Sequence, residues 1–235
     1  MFIGQNKKKG FTLLELLIVI SIIAILAVIV ILVLNPGETL KKARDVQRMS
    51  DMATMKTAIA LILTSSTTPY LSSGNYDCLT TGTSTAKIWY SSEVASPTCT
   101  ADLPEGADAD GTYATTGAGW CSAGGTSGAS DTDGTGWIPI KLSWLPGGSP
   151  LSNLPLDPIN DIIDSIPSST DKVYRYTCQT TAGSGKPSTV FEINTILESE
   201  AFTVTDNKMT KDGGDNDNYY EVGTNLKLLP TDTQF

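Results

Sequence analysis

Histidine is missing from all 235 residues. With it go the commonest general base, the Ser-His and Cys-His nucleophile arrangements and imidazole metal ligands. Serine, lysine and carboxylates remain for catalysis, and no motif arranges them into an active site. Basic side chains are in deficit too: 16 Lys and Arg stand against 25 Asp and Glu, a formal net charge of −9. Such a surface repels a phosphate backbone, so nucleic acid is not an expected partner, and it keeps a crowded assembly soluble. Cysteine is limited to four residues, Cys78, Cys99, Cys121 and Cys178, with no Cys-x-x-Cys spacing among them. Aliphatic residues are thin through 66–150, which predicts a weak core there.

What the sequence does have is concentrated near its start. Lys7, Lys8, Lys9 and Gly10 precede Phe11-Thr12-Leu13-Leu14-Glu15, and an almost unbroken apolar run follows from Leu16 to Leu34. As a helix, 11–34 is roughly 36 Å long, enough to cross a bilayer. Glu15 is the anomaly, because a carboxylate inside hydrocarbon costs at least ~2.5–3.5 kcal/mol and normally has a partner. A cut after Gly10 would give Phe11 a new α-ammonium group, available to a carboxylate on another copy of the chain. A secretory signal peptide would have a shorter apolar core and a small-residue cleavage site, which Asn35-Pro36-Gly37-Glu38 is not. An ordinary signal anchor fits the length and leaves Glu15 unexplained.

Lys-Gly-Phe-Thr-Leu-Leu-Glu ahead of an apolar helix resembles the cleavage and N-methylation signature of type IV pilins and of the pseudopilins of type II secretion. The resemblance directly covers Lys7 to about Leu34, continues more weakly to about Leu63 and returns near the C-terminus. It implies that a prepilin peptidase cuts after Gly10 and methylates Phe11. It also implies that Glu15 pairs with a neighbouring subunit's N-terminus during assembly. Leu154-Pro155-Leu156-Asp157-Pro158 is similar to a segment found before the sheet of the major pseudopilin, although Ile159 and Asn160 replace the tryptophan and glycine usual there.

Along the chain the expected parts are a leader at 1–10, a transmembrane and assembly helix at 11–34, and an amphipathic helix of the head at 35–65. An insertion rich in Ser, Thr, Gly and Trp follows at 66–150, then a C-terminal antiparallel sheet at 151–235. Asn35-Pro36-Gly37 is read as a break between the two helices. In the second helix, Val46, Met49, Met52, Ala53, Met55, Ile59, Ile62 and Leu63 recur at spacings of three and four, predicting an apolar face laid on the head's own sheet. Lys41, Lys42, Arg44, Asp45, Arg48, Asp51 and Lys56 are assigned to the polar side, turned toward neighbouring subunits.

Strands are predicted at 87–90, 137–142, 172–178, 189–197 and 219–222, with a further one at 226–229. Asp108-Ala109-Asp110-Gly111 and Asp131-Thr132-Asp133-Gly134 lack the later glutamate of a calcium loop and read as turns. The loop Lys211 to Tyr219 carries Asp212, Asp215 and Asp217 in one glycine-rich turn. It is either a site for a hard cation, calcium by analogy with major pseudopilins, or a solvated turn. Four cysteines beyond a membrane helix, on the side that positive-inside orientation places outside the cytoplasm, favour two disulfides over a metal site, and three pairings are open.

The fold expected is α+β and pilin-like: a long N-terminal helix packed on an antiparallel sheet, with a disulfide-stapled insertion between. The function expected is structural rather than enzymatic: an exported subunit that starts in the cytoplasmic membrane and polymerises with other pilin subunits into a surface filament. Its partners would be the prepilin peptidase, a membrane assembly platform and that platform's ATPase. The rivals are a membrane-tethered, adhesin-like binding protein using the Trp-rich segment, and an anchored hydrolase.

Overall fold

A computed structural model describes residues 10–65, 71, 79–80, 88–91, 122–123, 128–161, 170–180 and 189–229. The chain forms two compact units, Met1–Lys41 and Lys42–Phe235.

The first unit holds helix α1, Leu13–Leu34, built almost wholly of Leu, Ile, Val and Ala. It ends at Asn35, which turns left-handed (φ 39°). The Asn35 carbonyl then accepts from the Glu38 and Thr39 N–H groups (3.1 and 3.2 Å), and its side chain faces Glu38 N as well. One residue thus closes α1 and starts helix α2, Pro36–Ser65. Pro36 in the first turn of α2 loses no hydrogen bond there, because first-turn N–H groups have no helical acceptor. The break predicted over three residues is therefore made by Asn35 alone, with Pro36 and Gly37 already helical.

The second unit is the rest of α2 with a sheet of strands β1 (Leu79–Thr80), β2 (Trp89–Tyr90), β3 (Ser122–Ala123), β4 (Arg175–Thr180), β5 (Val190–Thr195) and β6 (Tyr220–Gly223). The order is β3-β2-β4-β5-β6, and β1 also pairs with β4. The β2–β4, β4–β5 and β5–β6 pairs are antiparallel; β3 pairs with β2, and β1 with β4, in parallel. The α+β, pilin-like architecture holds.

Alternation along the strands sends Tyr174, Tyr176, Cys178, Phe191, Ile193 and Val222 into one core with Met52, Met55, Ala58, Ile59 and Ile62 of α2. Trp89 lies 5.5 Å from Tyr176, and Trp137 lies 6.1 Å from Tyr174. The opposite face carries Arg175, Thr177, Glu192, Asn194 and Glu221, all buried. A second apolar group of Ile88, Tyr90, Val173, Tyr219, Leu228 and Leu229 accompanies them.

Three expectations change. Residues 137–142 are not a strand: Trp137 N–H donates to the Ala129 carbonyl (2.8 Å), Leu142 N–H to that of Thr132 (2.9 Å), and a 3-10 turn begins at Leu142. Pro139 has no N–H for a ladder, and Trp137, Ile138, Pro139 and Ile140 are buried in succession rather than alternately. Residues 226–229 also form no strand, since the Leu228 and Leu229 N–H groups are used by a side chain. On α2, Asp45 and Arg48 are fully buried instead of solvated, whereas Val46 and Ala53 are exposed. Asp131-Thr132-Asp133-Gly134 is a turn, as read: Asp133 Oδ1 accepts from Thr135 N–H and hydroxyl, and Gly134 has φ 92°. Asp108 to Gly111 lie outside the described residues.

Candidate assembly site

Thr12 is extended (φ −79°, ψ 150°) and caps α1. Its hydroxyl accepts from Glu15 N–H (3.2 Å), while Glu15 Oε2 accepts from Thr12 N–H (3.2 Å) and the Thr12 hydroxyl (3.0 Å). This reciprocal capping box satisfies two first-turn donors, and a carboxylate at the positive end of the helix dipole is favoured as well. Glu15 therefore has a local partner. The spelling Thr-x-x-Glu before an apolar run was the available signal for it.

Beyond the cap, Leu13–Ile31 has a mean hydropathy of 3.3, and none of it is buried inside the chain. Phe11 is 87% exposed and sits one residue past Gly10. Among the described residues this is the one helix long and apolar enough to cross a membrane. An apolar surface of this size calls for a cover.

Residues 5–31 match the model of the prokaryotic N-terminal methylation motif. The chain carries the prepilin signature of type IV pilins and pseudopilins. No curated protein and no solved structure matches it. The matched stretch runs through Gly10, Phe11 and Glu15 to residue 31, near the end of α1, so it joins the Gly10-Phe11 junction, the capping box and the exposed apolar helix.

A second constellation fixes α2 in the head. Arg48 donates from Nε and Nη2 to the two oxygens of Asp157 (2.7 and 2.9 Å), and from Nη1 to Asp45 and Glu198 (both 2.8 Å). Arg44 grips Glu198 through Nε (2.6 Å) and Nη2 (2.9 Å). Asp45 accepts from Glu198 and Ser199 N–H, and Asp157 from Ile159 N–H. Burial alone would raise the Glu198 pKa, but hydrogen bonds from Arg44 and Arg48 bring it down to about 2. Apart from the Asp45–Arg48 spacing of three, nothing local signals this network, because Asp157 and Glu198 lie more than a hundred positions from the arginines they bind.

The acidic loop is organised around its own backbone. Asp212 accepts from Gly214 N–H (2.9 Å) and Glu221 N–H (2.8 Å), and Gly213 takes φ 91°. Burial raises the pKa of both Asp212 and Asp215. Among the described residues no three acidic, Cys or His side chains are grouped as metal ligands. Asp212, Asp215 and Asp217 share this one loop.

Cys178 is fully buried in β4. Cys78, Cys99 and Cys121 lie outside the described residues. Of the tryptophans, Trp89 and Trp137 belong to the core and Trp137 donates to the Pro155 carbonyl (2.9 Å). Trp144 is 68% exposed beside Lys141, whose ammonium lies 5.2 Å from its ring centre. Trp120 is outside the described residues.

Proposed function

We propose that this chain is a structural subunit of a type IV pilus-like or secretion pseudopilus filament, processed after Gly10 and polymerised through its N-terminal helix. The observation that carries this is the continuity of the methylation motif at 5–31 with an apolar helix that the chain leaves entirely exposed. Before assembly that surface is covered by the cytoplasmic membrane, and afterwards by the same helix of neighbouring subunits. A prepilin peptidase, a membrane platform and its ATPase are the partners this route requires. The chain itself performs no catalysis.

Two intramolecular disulfides in the head, one of them through Cys178, belong to the same reading. It is supported by the even number of cysteines and by the lack of a free one among the described residues. The tethered-adhesin reading loses ground because Trp89 and Trp137 support the core, leaving Trp144 as the exposed described tryptophan.

The deciding experiment is a size measurement on material sheared from the cell surface, beside the same protein gently extracted from membranes. Long filaments containing a chain that starts at Phe11 are expected. Monomers in both fractions would return the tether.

A further inference from the structure

On the face of the sheet opposite α2, β5 and β6 bring Glu192 and Glu221 together. Both are buried, at 0% and 1% exposure, and they hold diagonal positions of the β5–β6 pair, Glu192 opposite Gly223 and Glu221 opposite Asn194, so their side chains share one face. Glu192 Oε2 accepts from Leu228 N–H (2.7 Å) and Leu229 N–H (2.9 Å), and Glu221 Oε2 from Asn216 N–H (3.2 Å). The remaining oxygens, Glu192 Oε1 and Glu221 Oε1, are buried with no hydrogen-bond partner. Gly214 closes flush against Glu221, since a Cβ there would collide with its carboxylate. Two buried carboxylates side by side on one sheet face cannot both stay ionised at low cost without something positive between them.

The charged and titratable surroundings add to that pressure. Asp212 and Asp215 contribute negative charge from the loop, with Asp217 acting on Asp212 and Lys227 on Asp215. On β4, Arg175 donates to the Val173 and Asp171 carbonyls and lies over the rings of Tyr90 and Tyr219.

We propose that Glu192 and Glu221 share a proton, and that this proton is a pH-operated latch holding the 211–218 loop and the Leu228–Leu229 segment onto the sheet. With the proton in place the pair carries one charge and three backbone donors satisfy it. Without it, two charges lie side by side inside the protein. Turning either side chain out to water relieves the repulsion, but it breaks the bonds to Asn216 or to Leu228 and Leu229.

Burial, then the neighbouring carboxyl, makes the folded chain hold this proton more tightly than the unfolded one. The latch is accordingly closed at and below the ordinary glutamate range and opens as pH rises through neutral into alkaline.

Hydrogen exchange on the full chain in detergent, from about pH 6 to 10 and corrected for intrinsic exchange, reads the opening directly. The opening constants at Asn216, Leu228 and Leu229 should rise with pH, by up to about tenfold per unit, the limit for one linked proton. Amides of Met52 and Ile59 in α2 serve as controls and should keep their protection. Glu221→Gln supplies a permanent N–H to Glu192 and still accepts from Asn216, so its opening should not depend on pH. Glu192→Gln carries the same test should the first variant not fold. A wild-type chain whose opening is flat across this range would overturn the proposal, as would Gln variants that keep the wild-type slope. Calcium-dependent protection abolished by Glu221→Gln would also overturn it, because the pair would then be holding a cation.

Discussion

Arg48 on α2 and Asp157, 109 positions later, face each other through two parallel N–H···O bonds of 2.7 and 2.9 Å, with neither side chain reaching solvent. Two bonds in a fixed fork define direction as well as distance, so α2 has one rotation and one height against the segment that carries Asp157. Asp157 also accepts from Ile159 N–H, which ties the turn after it to the same guanidinium.

Removing one member of a buried pair strands the other. Asp157→Ala is therefore expected to cost about 3–5 kcal/mol of stability, whereas Arg48→Met together with Asp157→Leu, apolar and similar in volume, should cost much less. Denaturant unfolding of the full chain in detergent, followed by tryptophan fluorescence, measures both. A loss below about 1 kcal/mol for Asp157→Ala would mean the pair behaves like an exposed one.

Acid should loosen the same network through Glu198. Its folded pKa lies below the 4.5 of a free glutamate, at about 2. The stability linked to it is complete above the unfolded value and is lost as pH falls from there toward the folded one. Melting temperature followed from about pH 6 to 2 should fall for the wild type, and less steeply for Glu198→Gln, which starts lower at neutral pH. Equal slopes would assign the acid limb to other carboxylates.

The sequence disclosed what is local and periodic, and little of what is paired across the chain. Leu13 to Leu34 could not be read as anything but a long apolar helix, and Met52, Met55, Ile59 and Ile62 declared the buried side of α2. Tyr174, Tyr176, Phe191 and Ile193 announced their strands by alternation. Asp45 and Arg48 were misplaced because an ion pair looks solvated until its partners, Asp157 and Glu198, arrive from distant segments. Glu192, Asn194 and Glu221 fall at the alternate positions of strands that normally face water; here they are buried with Leu228 and Leu229, whose N–H groups bind Glu192. At the candidate assembly site the methylation motif around Gly10 and Phe11 is legible, whereas Glu15 reads by itself only as a charge in search of a distant partner. Thr12, three residues away, already holds it.

Processing offers a direct check. Intact mass of assembled material should correspond to a chain starting at Phe11 with one added methyl group. Gly10→Val should leave the uncut precursor in the membrane, seen as a heavier band on an immunoblot and absent from the sheared fraction. Full-length chain inside assembled filaments would remove the processing step from the proposal.

Two tasks converge on Glu15, and they are separable because glutamine performs one and not the other. As the third residue of a capping box, Glu15 reaches back to Thr12 N–H, and glutamine at that position does the same, so Glu15→Gln keeps the start of α1. Pairing with a neighbour's Phe11 ammonium requires the charge, which glutamine lacks. If assembly depends on that pair, Glu15→Gln should fold, insert and be cleaved normally yet make almost no filaments, since stranding one buried charge costs about 3–5 kcal/mol per subunit. Thr12→Ala makes the opposite cut: it weakens the cap by about 0.5–2 kcal/mol and keeps the carboxylate, so filaments should persist at reduced yield. Glu15→Leu loses both and should resemble Glu15→Gln. Immunoblots of sheared filaments against the membrane pool measure all three. Normal yield from Glu15→Gln with a deficit in Thr12→Ala would make the helix cap the whole task of this residue, and the carboxylate would have no part in joining subunits.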